Sequence, residues 1–304
     1  MQMSPALRAL ASAQDGLITR RQALQAGLSP AAIRHALGPR GPWQRFLPGV
    51  YVTFTGPLQE RHRVRGALLY AGEEAVLTGS AACRGYGMRY VPATPGAVLL
   101  VPPYVRRAAI PVATIRRVRS MPVARVIRGI PCAPPERAAI DATHEVDGLR
   151  DARAALCEVV QCGLTTVDRL GAEYVRMDPR GLAFARQALA DVRAGCRSAP
   201  ECELRDLVRG SRDLDEPRWN EPLPDAPDLV PDAHYESIRL VLEVESIEWH
   251  RFGDAPEATE RRRARLASLG WRVLPVSPRR IREEPGAVLS EIRSAINHQL
   301  RHAA

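Results

Sequence analysis

The stretch that most constrains the fold runs from Val230 to Arg251, VPDAHYESIRLVLEVESIEWHR. From Ile238 to Glu245 it alternates, with Ile238, Leu240, Leu242 and Val244 on one side and Arg239, Val241, Glu243 and Glu245 on the other. A period of two is the signature of a strand. The alternation sets Glu243 and Glu245 side by side, and Asp232 arrives from the preceding segment. Three carboxylates meeting at a strand end repel one another unless a proton or a cation sits among them. An oxygen-ligated divalent ion, Mg2+ or Mn2+, is the natural occupant. Glu248 and His250 add a further carboxylate and a group that titrates near neutrality. The pattern points to a metal site suited to hydrolysis.

A chain of 304 residues exceeds one small core and predicts two or three domains. Its net charge is +9, and all 43 basic residues are arginine. Codon usage in a GC-rich genome accounts for arginine in place of lysine but not for the excess of positive charge, which suits a polyanionic partner. No run reaches the roughly 18 apolar residues of a membrane span. The N-terminus lacks the basic-then-apolar pattern of a secretion signal, so a cytoplasmic protein is expected. The six cysteines show no CxxC pairs or partnered histidines, and read as reduced, mostly buried thiols.

In chain order, Ser4 and Pro5 open a helix over 4–14. In GLITRRQALQAGLSPAAIRHAL, Thr19 caps a short helix, Gly27 ends it, and Ser29 and Pro30 start another that runs to about Leu37. Helix, tight turn, helix is a helix-turn-helix, and its second helix presents Arg34 and His35. WQRFLPGVYVT then reads as a hairpin wing turning at Pro48-Gly49. Arg20, Arg21, Arg34, Arg40 and Arg45 supply the charge that phosphate contacts need. Residues 57–196 are less distinctive. Strands are expected at 97–101, 112–118 and 123–130, and helices at 59–71, 78–85, 134–145, 149–162, 165–176 and 180–194. Arg106, Arg107, Arg116, Arg117, Arg119, Arg125 and Arg128 read either as a nucleic-acid groove or as a solvated face. From 197 on, a helix capped by Ser198 carries Glu201, followed by the acid-bearing strand, a helix at about 255–269, the strand WRVLPVS and a last helix at about 284–300.

Two resemblances follow. GLITRRQALQAGLS with RFLPGVY, and more loosely TGSAACRGYGM with PCAPPERAAIDA, resemble AbiEi-type antitoxins of abortive-infection toxin–antitoxin systems. Pro231-Asp232, Glu243-Val244-Glu245-Ser246, Glu248, His250 and ERRRARLASLGWRVL resemble the PD-(D/E)xK nuclease fold, in the subgroup of very-short-patch repair endonucleases. Together they imply an α+β multidomain protein. It would comprise a winged helix-turn-helix at 1–56, an α+β and helical region at 57–196, and an α/β restriction-endonuclease-like domain with a mixed sheet at 197–304. The implied activity is metal-dependent DNA cleavage. Asp232, Glu243 and Glu245 would ligate the ion, Glu201 would complete the set, His250 would relay a proton and Glu248 would orient it. The alternative is a catalytically silent DNA-binding regulator or antitoxin, with DNA and a cognate toxin as partners. The family's lysine is replaced by Glu245, so Arg239 or His250 is left to supply positive charge. Asp228 competes with Asp232 for the bridging position, and on a solvated face Glu243 and Glu245 would pair with Arg239 or Arg261.

Overall fold

The computed structural model describes residues 3–92, 96–245 and 255–303. The chain is α+β and forms two compact units, 1–147 with 162–182 and 148–161 with 183–304.

The first unit opens with helix α1 (Pro5–Ala13), strand β1 (Leu17–Thr19), helices α2 (Arg20–Gln25) and α3 (Pro30–Ala36), and strands β2 (Gln44–Leu47) and β3 (Val50–Val52). Local chemistry sets the helix starts. The Ser4 and Ser29 hydroxyls accept from Leu7 N and Ala32 N, and Thr19 forms a capping box with Gln22. Leu7, Ile18, Ile33, Trp43 and Tyr51 pack between the helices and an antiparallel sheet ordered β1-β3-β2.

Helix α4 (Glu60–Ala71) packs against that sheet and against a second, five-stranded one. The second sheet comprises β4 (Val76–Thr78), β5 (Ala97–Val101), β6 (Ala113–Arg117), β7 (Arg125–Ile127) and β8 (Ile130–Cys132), in the order β6-β5-β4-β8-β7. Helices α5 (Gly79–Gly85), α6 (Pro135–Ala142) and α8 (Val167–Arg176) complete the unit. The segment 123–130, expected as one strand, is instead the start of a hairpin. Arg128 (φ 48°) and Gly129 (φ 75°) turn the chain between β7 and β8, the left-handed pair that a tight hairpin demands.

Beneath this sheet lies a buried charge network. The Asp141 carboxylate is fully enclosed and accepts from Thr78 Oγ1 (2.8 Å), Arg137 Nε (2.8 Å) and Arg116 Nη1 (3.3 Å). Arg116, one of the residues read as groove or solvated face, therefore serves the interior.

The second unit contains α7 (Leu149–Gln161), α9 (Ala183–Arg193), α10 (Ala199–Arg209), β9 (Arg218–Trp219), β10 (Ala233–Tyr235), β11 (Leu240–Val244), α11 (Ala255–Ser268), β12 (Arg272–Val276), α12 (Pro278–Glu283) and α13 (Pro285–Ala303). Helices α7 and α9, assigned from sequence to the middle region, pack on each other and belong to this unit. The sheet order is β12-β11-β10-β9, with β11 and β12 parallel and the other pairs antiparallel. Leu240 and Leu242 face Leu204, Val208, Val288 and Ile292 from α10 and α13. Val241 faces Leu223, Leu229, Leu266 and Trp271. Helices thus cover both faces, which is why Val241 is buried as completely as Leu240 and Leu242 while Glu243 lies at the strand end. The strand starts later than its alternation suggests, because Glu236–Ile238 is a single 3-10 turn and Arg239 adopts a left-handed conformation (φ 47°).

Candidate functional site

Strand pairing brings the acids of the second unit together. Ala233 lies opposite Leu242, so Asp232, one residue earlier, stands beside Glu243 at the end of the β10–β11 pair. Asp232 Oδ2 accepts from Val244 N at 2.7 Å, which fixes the carboxylate against the strand. Glu201 comes from the first turn of α10 and is 6 % exposed. Its carboxylate accepts from Arg197 N (3.0 Å), Ser198 Oγ (2.9 Å) and Asn220 Nδ2 (3.2 Å). Asn220 is held in turn because Asn220 N donates to Asp232 O at 3.1 Å. Glu201 therefore both caps its own helix and presses on Asp232.

The electrostatics follow from this crowding. Burial pushes the Asp232 carboxyl up to about 8, the Glu201 and Glu243 carboxylates push it further in that direction, and Val244 N and Arg262 oppose them. Burial also raises Glu201, against its three hydrogen-bond donors.

Linkage fixes how this affects stability. An unfolded aspartate titrates near ~3.9. Between about pH 4 and about 8 the folded protein holds a proton that the unfolded chain has released. The contribution of Asp232 to stability therefore falls as pH rises through that window and is level above it. In urea unfolding of the metal-free protein, Asp232→Asn is expected to remove that falling limb, so the variant gains on wild type steadily from pH 5 to 8. Parallel stability curves would contradict the crowding.

Two arginines missed in the sequence reading reach the acids. Arg262 Nη2 donates to Glu243 Oε1 and to Val230 O, both at 2.9 Å, tying the segment before Asp232 to β11. Arg263 pairs with Glu245. The arginines anticipated as partners are engaged elsewhere. Arg261 bonds Glu257 at 2.9 Å, and Arg239 bonds Asp225 at 2.9 Å with its guanidinium over the Trp271 ring. Asp228 is exposed and held by Arg265, which lowers its pKa, so Asp232 rather than Asp228 takes the central position. Glu248 and His250 lie outside the described residues. Among the described residues, no three His, Cys, Asp or Glu side chains are arranged as they stand to hold a metal ion. His234, two residues after Asp232, is wholly buried edge-on to Trp271, and burial lowers its pKa.

In the first unit the residues expected to meet DNA lie on the surface. Arg20, Arg21, Arg34, His35, Arg40 and Arg45 are all exposed. On α3, Ile33 and Ala36 face the core while Arg34 and His35 point outward from its last turn. Arg20 N donates to Gly49 O at 2.7 Å, which joins the start of α2 to the β2–β3 turn. Arg21 pairs with Glu73 across two exposed side chains.

No family model matches the chain. It is 31 % identical over 136 residues to the uncharacterized proteins MT2308 and Rv2248 of Mycobacterium tuberculosis, strains CDC 1551 and H37Rv. That match covers 44 % of this chain and 49 % of each relative, so the chain spans about half the length of the curated relatives it matches. The crystal structure of the RV2827C protein from Mycobacterium tuberculosis aligns with a TM-score of 0.45 and 16 % identity, over 70 % of this chain and 82 % of that one. Among the described residues, no helix is long and apolar enough to cross a membrane.

Proposed function

We propose that the protein is a cytoplasmic DNA-binding enzyme, a winged helix-turn-helix joined to a PD-(D/E)xK-type endonuclease domain that acts with Mg2+ or Mn2+. The observation that carries this reading is the convergence of Glu201 and Glu243 on Asp232, which keeps a proton on an aspartate at neutral pH. Helix capping and ion pairing account for Glu201 and Glu243 one at a time but not for their crowding a buried Asp232, whereas a divalent cation can replace the proton and relieve all three. The donor chemistry fits such an ion, with Asp232 and Glu243 as ligands and Glu201 completing the set once Arg262 releases Glu243. When bound, the ion acidifies a water and neutralises charge on the phosphoryl group under attack. Val244 N orients Asp232, Ser198 and Asn220 orient Glu201, and Arg262 neutralises Glu243 until the ion arrives. Arg34, His35, Arg40 and Arg45 would hold the duplex, with Arg20 and Arg21 at the start of α2.

A second reading draws on the arginine pairs themselves. On this reading Arg262 on Glu243 and Arg263 on Glu245 would mark a retired site, with guanidinium standing in place of metal. The protein would then be a silent DNA-binding regulator, or an AbiEi-type antitoxin with a cognate toxin. Incubating plasmid DNA with the protein and Mg2+ or Mn2+ separates the two. The enzyme reading expects metal-dependent cleavage that Glu243→Ala abolishes while duplex binding persists. If wild type binds DNA but cuts none with either metal, the regulator reading stands.

A further inference from the structure

We infer that Arg106 and Arg107, on the loop after β5, grip the phosphate backbone of the same duplex that the N-terminal helices bind. The inference rests on the DNA-binding part of the proposed function and extends it to a second element of the fold. A cleft of about 790 Å3 in the first unit has Arg20, Arg21 and the Pro48-Gly49 turn on one wall. Arg106 and Arg107 stand on another, and the end of α4 lies between them. Elements far apart in sequence, the start of α2 and the loop after β5, therefore share one basic surface, next to the residues best suited to meet DNA.

The charge balance favours an anion. The arginines lining the cleft are these four and Arg65, against Glu73 and Glu74. Both acids are already engaged, Glu73 by Arg21 and Glu74 by the Tyr104 hydroxyl. Arg65 is committed inward, donating to Asp15 Oδ2 at 3.0 Å and to Gly129 O at 2.8 Å.

Arg106 and Arg107 are exposed, yet each guanidinium is tethered by part of its donor set. Arg106 Nη1 donates to Pro103 O at 2.7 Å. Arg107 Nε reaches Ala71 O at 3.4 Å, and its guanidinium lies 5.7 Å from the centre of the Tyr70 ring. A guanidinium has five N–H donors, so these anchors spend part of its capacity and leave donors for phosphate. Ordering the side chains beforehand lowers the entropy lost on binding. Contacts of this kind add affinity and fix register without reading sequence.

The test is the salt dependence of duplex binding by the full chain, measured by fluorescence anisotropy with a labelled duplex of about 25 base pairs. Each phosphate contact contributes a slope of about −0.9 in log K against log salt. The Arg106→Ala/Arg107→Ala variant is expected to lose about 1.8 of that slope and to bind about tenfold or more weakly near 0.15 M salt. Arg106→Lys/Arg107→Lys should recover most of the slope, because the charge is restored. An unchanged slope in the alanine variant, with Arg34→Ala still weakening binding, would overturn the inference and leave the DNA-binding reading intact. Lower affinity at an unchanged slope would also overturn it, since that pattern reports damage to the fold. A wild type that shows no salt-sensitive duplex binding would overturn both.

Discussion

Asp141→Ala is expected to destabilise the first unit by about 3–5 kcal/mol, the range for breaking a buried ion pair from one side. The carboxylate is completely buried and receives hydrogen bonds from three groups. Its loss leaves Arg137, 8 % exposed, with only a 3.4 Å contact to Glu173, and strips the buried Thr78 hydroxyl of its acceptor. The cost is mainly that of the stranded guanidinium and hydroxyl. Thermal unfolding should show the transition of the first unit lowered by on the order of 10 °C, with that of the second unit unmoved. Asp141→Asn keeps an acceptor for Thr78 and should lie between the two. If Asp141→Ala matched wild type within about 1 kcal/mol, the network would be ornamental to stability. The five-stranded sheet under which Asp141 sits also carries the loop of Arg106 and Arg107, so the alanine variant should lose duplex affinity at temperatures where wild type keeps it.

Asp232→Asn is expected to weaken divalent-ion affinity by about 100-fold or more. Groups that merely orient a ligand are worth about 10–100-fold, and Asp232 is the acid on which Glu201 and Glu243 both act. Asparagine offers one neutral carbonyl in place of a carboxylate, so a hard dication loses most of its attraction there. The fold should tolerate the change, because Val244 N still finds an oxygen acceptor at 2.7 Å. Relief of acid crowding should make the metal-free variant no less stable than wild type at neutral pH.

Much of this was legible in the sequence where the physics is local. Ser4, Thr19, Ser29 and Ser198 each cap the helix they were expected to start, because capping needs only a hydroxyl next to the chain's own amides. The LVLEV strand and the Pro-Asp before it could be read because alternation and pairing act over a few residues. What escaped depends on tertiary return. In ERRRARL several arginines look alike, and only the packing of α11 on the sheet decides that Arg262 and Arg263 meet the acids while Arg261 turns to Glu257. Asn220 carries no motif and matters through its reach to Glu201. Asp141 lay in plain view within PPERAAIDA, but a charge on a helix looks solvated until the sheet above it is known. β4 escaped because three residues are too few for a period, and the β7–β8 turn because arginine rarely takes the left-handed place before a glycine.

The central claim is that the acids around Asp232 exist to hold a divalent cation, and calorimetric titration of Mn2+ into the metal-free full chain tests it most directly. Near pH 7, wild type should bind with a heat that changes from one buffer to another, because the ion must displace the proton that Asp232 holds below about 8. Asp232→Asn should lose that buffer-dependent heat and most of the affinity. No binding by wild type, or the same affinity and buffer dependence in the variant, would contradict the account.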